Sequence, residues 1–387
     1  MLRRDFVALM TAPLLFAISG CSASEGARDA EQDTDGASQA QAVTITCGVS
    51  EYAKFDSVKL EASLTDLENA GFSLGDSCDI ELSDGTSLTD IPIYSGYFVK
   101  TGEPLLVVFS AFGGAFLSYN NAPCWSTMNL NDQSTITLTL HEAGKYKKTE
   151  DLLASDMSND RNDYPSDVTF TNFRAMAGGN LKQNFLYRGA SPVNQNLNRA
   201  TVVDGLLQEV GVQCVLDLAD SEANFQKDIN AESFDSPYTL SLYEQGRVVL
   251  MSLSTREASD EFKKPLGQGI QKLLEVGGPA YIHCSFGQDR TGFVAALLEG
   301  LAGATYDEMC DDYMQSYANL SGITKDNAEA YDLLVELHFN EFMTIISGVE
   351  DVETLKSLDY ASSARQYLVE CGLTEAEVDQ LVQLICE

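Results

Sequence analysis

The chain has 387 residues, too many for one ordinary hydrophobic core, so two domains are expected. Its composition, 44% hydrophobic and 21% charged, is that of a globular protein and not of a disordered one. A formal net charge of −34 argues against non-specific nucleic-acid binding and against polybasic attachment to anionic lipid; any site for an anionic substrate must be built locally.

In chain order, Arg3 and Arg4 precede an apolar run from Phe6 to Ile18 and the small residues Ser19, Gly20 and Cys21. That order describes a secretory signal over residues 1–21, because the run falls short of the roughly 20 residues a membrane span needs. Ile18-Ser19-Gly20-Cys21 resembles the lipobox of bacterial lipoproteins. The resemblance implies cleavage before Cys21, diacylation of its sulfur, and a lipid anchor at the outer face of the cytoplasmic membrane, in the cell envelope. Arg3-Arg4-Asp5-Phe6-Val7 resembles a twin-arginine export motif. Residues 22–42 hold mostly Ala, Ser, Gly, Gln and acid, a composition expected to form a flexible tether.

From 43 to 142 the pattern is β-rich. Val58, Leu60, Ala62 and Leu64 alternate with polar residues, and Asp79-Ile80-Glu81-Leu82 runs into the hairpin signal Asp84-Gly85. Leu105–Phe109 and Ser134–His141 are further strands, so a small all-β barrel or sandwich is expected. The stretch from Tyr97 to Leu140 is similar to part of the C-terminal barrel of the S-adenosylmethionine hydrolase/fluorinase family. No activity is carried over from it: the domain reads as a structural or protein-contacting module whose partner the sequence does not name. Residues 143–166 are polar and read as a linker.

From 167 to 387 the pattern becomes α/β. A helix over Arg199–Val210 ends at Gly211 and leads into the strand Cys214–Leu218; Arg247–Leu253 and Ala280–His283 are further strands, and Thr291–Leu301 is a helix. Strands alternating with helices predict a mostly parallel central sheet with helices on both faces. Nine cysteines in an exported chain raise the question of disulfides. Cys371–Cys386, flanking the last helical hairpin, is the best candidate bridge. No metal-type Cys/His spacing occurs, so no metal and no cofactor are expected.

The chemistry lies between the strand Ala280–His283 and the helix after it, in Cys284-Ser285-Phe286-Gly287-Gln288-Asp289-Arg290-Thr291. A loop wrapped before a helix N-terminus turns backbone N–H groups inward and, with the helix dipole, binds phosphate. The same field favours an anionic sulfur at the loop's start. Arg290, six positions on, can return across the loop and chelate two phosphate oxygens. Gly287 permits the turn, and the Thr291 hydroxyl is placed to donate to the Cys284 sulfur. His283 is expected to hydrogen-bond the loop backbone.

These residues resemble the phosphate loop of the protein tyrosine phosphatase superfamily, and most closely its atypical bacterial family with the loop His-Cys-x-x-Gly-Lys-Asp-Arg-Thr-Gly. Asn172-Phe173-Arg174 with Gly178-Gly179, Leu186-Tyr187-Arg188, Gly211 through Asp217-Leu218 with Glu222, and Asp312-Tyr313 resemble further motifs of that family. The resemblance implies phosphomonoester hydrolysis through a cysteinyl-phosphate intermediate. The substrate it implies is a phosphorylated protein or small phosphoester: phosphotyrosine, with dual specificity as an extension and inositol phosphates or phosphoinositides as an alternative. A catalytically weak phosphate-binding module is the reading from a different class.

Gln288 stands where the family has Lys, removing a cation from the rim, and Ala219 replaces the family's Arg. The resemblance implies Asp289 as the general acid; Glu257 and Asp260, on the stretch where the wider superfamily carries its acid, are the alternatives. Asp217, at the end of a strand, either caps the following turn or takes part in catalysis. Arg188 either faces the site or makes a structural ion pair. His141 and His338 have no partner pattern and receive no role. Cys214, on the strand leading to Asp217, is a candidate to trap an oxidised Cys284.

Overall fold

A computed structural model describes residues 42–387, apart from Lys54, 110–113 and Asp156. The signal, Cys21 and the tether up to residue 41 lie outside the described residues. Ala42–Glu387 forms one compact unit.

Seven strands open it: β1 (Thr44–Tyr52), β2 (Ser57–Leu60), β3 (Ser77–Leu82), β4 (Ser87–Tyr94), β5 (Pro104–Phe109), β6 (Gly114–Tyr119) and β7 (Thr135–Glu142). They close into a barrel in the order β1-β2-β6-β5-β4-β3-β7, with β1 paired back to β7, so no edge is left unpaired. The Asp84-Gly85 turn joins β3 to β4, with Gly85 at φ +92°. Alternating residues such as Val58, Leu60, Ile80, Leu106 and Leu138 fill the interior. The alternation expected to run on to Leu64 stops at Leu60. Ser63 and Asp66 form a reciprocal capping box, which starts α1 (Leu64–Ala70) instead.

The connecting segment carries α2 (Lys147–Leu153), tied to both sides: Glu150 accepts from the Ser95 N–H at 3.0 Å, and Leu153 enters the core of the α/β half.

That half begins with α3 (Asp167–Thr171), β8 (Arg174–Ala175), β9 (Leu186–Gly189), α4 (Ala200–Val210) and β10 (Cys214–Asp217). It continues through α5 (Glu222–Ile229), α6 (Pro237–Glu244), β11 (Val248–Leu250), α7 (Asp260–Val276), β12 (Ala280–His283) and α8 (Asp289–Leu301). The sheet order is β11-β10-β12-β9-β8. β10 runs parallel to β11 and β12, β12 runs parallel to β9, and β8 is antiparallel to β9. Val203, Leu207 and Leu242 of α4 and α6 cover one face; Leu266 and Ile270 of α7, with α8, cover the other.

After α8 come α9 (Tyr306–Ser321), α10 (Ala328–Leu334), a π-helical turn (Val335–Phe339), α11 (Asn340–Ser347), α12 (Val352–Leu355), α13 (Tyr360–Glu370) and α14 (Glu375–Ile385). α8 is buried on every side from Thr291 to Leu301 and is packed by α9, α11 and α13. Its N-terminus is thereby held rigidly under the loop that follows β12.

The eight described cysteines are free thiols, so the Cys371–Cys386 bridge is not formed. Cys371 packs on Gly267 of α7, whereas Cys386 bridges to Leu181.

Glu299 of α8 is fully buried, and neither carboxyl oxygen has a hydrogen-bond partner among the described residues. Burial, with Asp312 nearby, pushes it well above the ordinary glutamate value of 4.5. The folded state therefore keeps a proton that the unfolded chain gives up, and stability falls as pH rises from about 4.5 toward the folded value. Glu299→Gln should be more stable than the parent at pH 7 and should flatten that decline. Denaturant melts from pH 4 to 8 test it, and a variant less stable at pH 7 would contradict it.

Candidate active site

Cys284 to Gln288 leave β12 at its carboxyl end and turn into α8, the position where parallel sheets build their sites. Gly287 has φ +71°, and a Cβ there would stand 2.2 Å from the Gly189 carbonyl oxygen, so only glycine fits. Behind the loop, Asn172 Nδ2 donates to the carbonyls of Phe286 (3.2 Å) and Gly287 (3.1 Å). Arg188 Nη2 donates to those of Gly287 (2.9 Å) and Gln288 (3.3 Å). The Ser285 carbonyl accepts from the Ser191 N–H at 3.0 Å. With these carbonyls tied outward, the following peptide N–H groups are turned toward the loop's interior. Those of Ser285 to Gln288 have no acceptor among the described residues.

The backing is itself a network. Arg188, with no exposed surface, ion-pairs with Asp312 of α9. Arg174 binds the same carboxylate at 2.7 Å, Ser316 at 3.0 Å and the Asn172 side-chain oxygen at 2.7 Å. Burial alone would raise Asp312, but Arg174 and Arg188 hold it below the ordinary aspartate range. Arg188 therefore does not face the site; it is the structural ion pair, because its position on β9 points it under the loop.

Cys284 lies at the base of the loop, 5% exposed. Arg290 donates to the carbonyls of Leu253 (3.1 Å) and Leu218 (3.4 Å), which hold its side chain at the ends of β10 and β11. The Thr291 hydroxyl is buried and has no hydrogen-bond partner among the described residues, so the expected donation to the Cys284 sulfur is absent. Gln288 hydrogen-bonds Tyr317. Phe286 packs over the Arg199 guanidinium at 5.3 Å.

His283 is buried, with Nδ1 3.1 Å from the Cys284 carbonyl oxygen and Nε2 3.8 Å from Asp217. Burial pulls it down to about 4, so it is neutral at pH 7 and acts as a backbone strut. Asp217 accepts the N–H groups of Ala219 (2.9 Å) and Asp220 (3.0 Å), the turn-capping role, and burial raises it to about 6. Asp220, which sequence reading passed over, lies against it and is pushed up to about 7, first by burial and then by the Asp217 charge. Cys214 is not placed to trap Cys284. It pairs with Ala280, four residues before Cys284, roughly 13 Å along the strand, whereas a disulfide needs Cα atoms within about 7 Å.

Three carboxyls were candidates for the acid. Asp260 is exposed at the start of α7 and paired with Lys264 at 2.7 Å, which holds it low. Glu257 is buried and pushed up to about 8, first by burial and then by Glu341 and Asp289. Asp289 is open to solvent at the head of α8, yet dense surrounding protein raises it, opposed by His338, Arg290 and Arg188. His338, given no role by its sequence context, is thus brought near Asp289. Only its placement on the π-turn reveals that.

A cysteine at the base of an amide-lined loop, an arginine at its flank and a carboxyl of raised pKa at its mouth are a set suited to handling a phosphoester. A family model described as "Tyrosine phosphatase family" matches residues 169–387, and the chain belongs to that family. It is 28% identical over 154 aligned residues to the triple specificity protein phosphatase PtpB of Mycobacterium tuberculosis. That match covers 33% of this chain and 54% of PtpB, so the chain spans about half the length of that relative. Among solved structures, the core catalytic domain of the PP-IP phosphatase SIW14 from S. cerevisiae covers 42% of this chain and 83% of its own at 16% identity and a TM-score of 0.26. P. aeruginosa TpbA covers 43% and 91% at 19% identity and a TM-score of 0.24. At those scores neither structure bears on the chemistry of this chain.

Proposed function

We propose that this protein hydrolyses phosphomonoesters through a cysteinyl-phosphate intermediate, with phosphotyrosine in proteins as its first substrate class. The observation that carries the reading is the loop. Asn172 and Arg188 tie its carbonyls outward, which turns its N–H groups inward above Cys284, and Arg290 is held beside the loop by the Leu253 and Leu218 carbonyls. In the first step the Cys284 sulfur attacks phosphorus, an S–P bond forms, the ester P–O bond breaks, and the leaving oxygen takes a proton. In the second, water attacks phosphorus, the S–P bond breaks and the acid recovers its proton.

Asp289 is assigned as that acid. Burial raises its carboxyl above the ordinary aspartate range, and it opens to solvent at the head of α8. Asp289→Asn should therefore lower kcat by about 10²–10⁴-fold on a phosphotyrosine peptide. On an aryl phosphate with an acidic leaving group the loss should be much smaller, since that oxygen departs without help. Equal losses on both substrates would transfer the role to Glu257, to be tested in the same way with Glu257→Gln.

PtpB is named for triple specificity. Here Gln288 offers no cation at the rim and is engaged with Tyr317, which favours phosphotyrosine over polyanionic inositol phosphates. We also infer export and lipid anchoring at Cys21, supported by the order of residues from Arg3 to Cys21. Cys21→Ser should move the protein from the membrane fraction to the soluble exported fraction; unchanged fractionation would remove the anchor.

A further inference from the structure

We propose that the β-barrel is a positioning element of the active site: its turn at Lys100–Thr101 holds the π-turn that seats His338 and Phe339 against the two tyrosines beside Asp289. This rests on the hydrolase reading above and assigns the barrel a part in it.

The turn is stiff on the barrel side. The buried Asn120 side chain donates to the Val99 carbonyl at 2.7 Å. The Gly102 N–H donates to the Asn120 carbonyl at 2.8 Å, and the Lys100 N–H donates to Glu103 at 3.0 Å. From this turn Lys100 Nζ reaches Glu336 at 2.9 Å, and Thr101 hydrogen-bonds Glu341. Lys148 of α2 pairs with Glu329 further along the same helical segment.

The three acids share one side of that segment for a geometric reason. Glu329 and Glu336 are seven residues apart, about two helical turns. Glu341 is a further five residues on and would be rotated away in a regular α-helix. The extra residue accommodated by the π-turn brings it back toward the barrel.

The other side of the π-turn meets the site. His338 lies parallel to the Tyr317 ring, 6.5 Å between centroids, and Phe339 stacks on Tyr313 at 5.8 Å. The two tyrosine hydroxyls are 3.4 Å apart; Tyr313 hydrogen-bonds Asp289 and Tyr317 hydrogen-bonds Gln288. The charged groups that act on Asp289 from the surrounding elements are His338, Arg290 and Arg188, and Glu257 lies near both Asp289 and Arg290. Burial lowers His338, while Asp289 acts in the opposite direction.

The test compares full-length wild type, Lys100→Glu, the double variant Lys100→Glu/Thr101→Ala, and the charge swap Lys100→Glu/Glu336→Lys. The double variant is expected to lose roughly threefold to tenfold in kcat with little change in KM. The swap should recover most of the loss caused by Lys100→Glu alone, a result that a generally weakened fold would not give. Lys100 and Glu336 are both more than half exposed, so the swap should fold even if the double variant does not. Unchanged kcat in Lys100→Glu and the double variant, or a swap no better than Lys100→Glu, would overturn the barrel's role. Absence of turnover in the wild type would instead remove the hydrolase reading itself.

Discussion

Cys284→Ser is expected to lower turnover of p-nitrophenyl phosphate and of phosphotyrosine peptide by about 10⁶-fold, the scale on which hydrolases lose activity when a covalent nucleophile is removed. The serine hydroxyl is nearly isosteric but a far weaker nucleophile without a base beside it. The neighbouring His283 cannot serve as that base, since its Nδ1 is engaged with the Cys284 carbonyl and its Nε2 faces Asp217. Phosphate binding should survive, because the N–H groups and Arg290 that make the cradle belong to the backbone and to another residue. Two measurements check this: steady-state turnover, and the rise in melting temperature on adding inorganic phosphate. Normal turnover by the serine variant would sink the covalent mechanism. Loss of the phosphate-dependent shift would mean that the loop itself had collapsed.

Arg188→Met is expected to destabilise the protein by about 3–5 kcal/mol, the usual cost of removing one partner of a buried ion pair. The side chain is wholly buried, joined to Asp312 and to two loop carbonyls. Its loss leaves the Gly287 carbonyl to Asn172, the Gln288 carbonyl to the Gly292 N–H, and Asp312 to Arg174 alone. With one anchor fewer, those carbonyls would be held less firmly, and the amide N–H groups less firmly aimed at the phosphate. Phosphate affinity should fall together with stability, although Arg188 touches no part of the substrate space. Urea unfolding and phosphate titration of the same variant check the pair of effects. A change in stability below about 1 kcal/mol, or unaltered phosphate affinity, would show that the loop keeps its shape without this strut.

Much of the site was legible because its chemistry is local. Cys284, Gly287 and Arg290 sit on one strand-loop-helix, and the positive φ at Gly287 follows from the turn that a phosphate loop must make. The same is true of the hairpin at Asp84-Gly85 and of the helix ended by Gly211. Other assignments went astray where distance along the chain decided them. Thr291 was expected to bond the sulfur, but at the start of α8 its hydroxyl is buried without a hydrogen-bond partner among the described residues. Arg188 is charged and could have faced substrate; only the packing of β9 against α9 shows that it backs the loop.

His338 offered no signal at all, since its partner lies on another element and its position depends on a π-turn that no periodicity announces. Asp220 was similarly hidden, its raised value being a product of burial beside Asp217.

Sequence by itself marked the candidate residues for the proposed reaction, because Cys284, Arg290 and the glycine that sets the loop conformation lie within a few consecutive positions. Tertiary structure alone decided which groups back that loop, which carboxyls burial raises, and where the barrel meets the helical segment that carries the π-turn. Those depend on burial and on contacts between Lys100 and Glu336, Arg188 and Asp312, or His338 and Tyr317, residues that only the folded chain brings together.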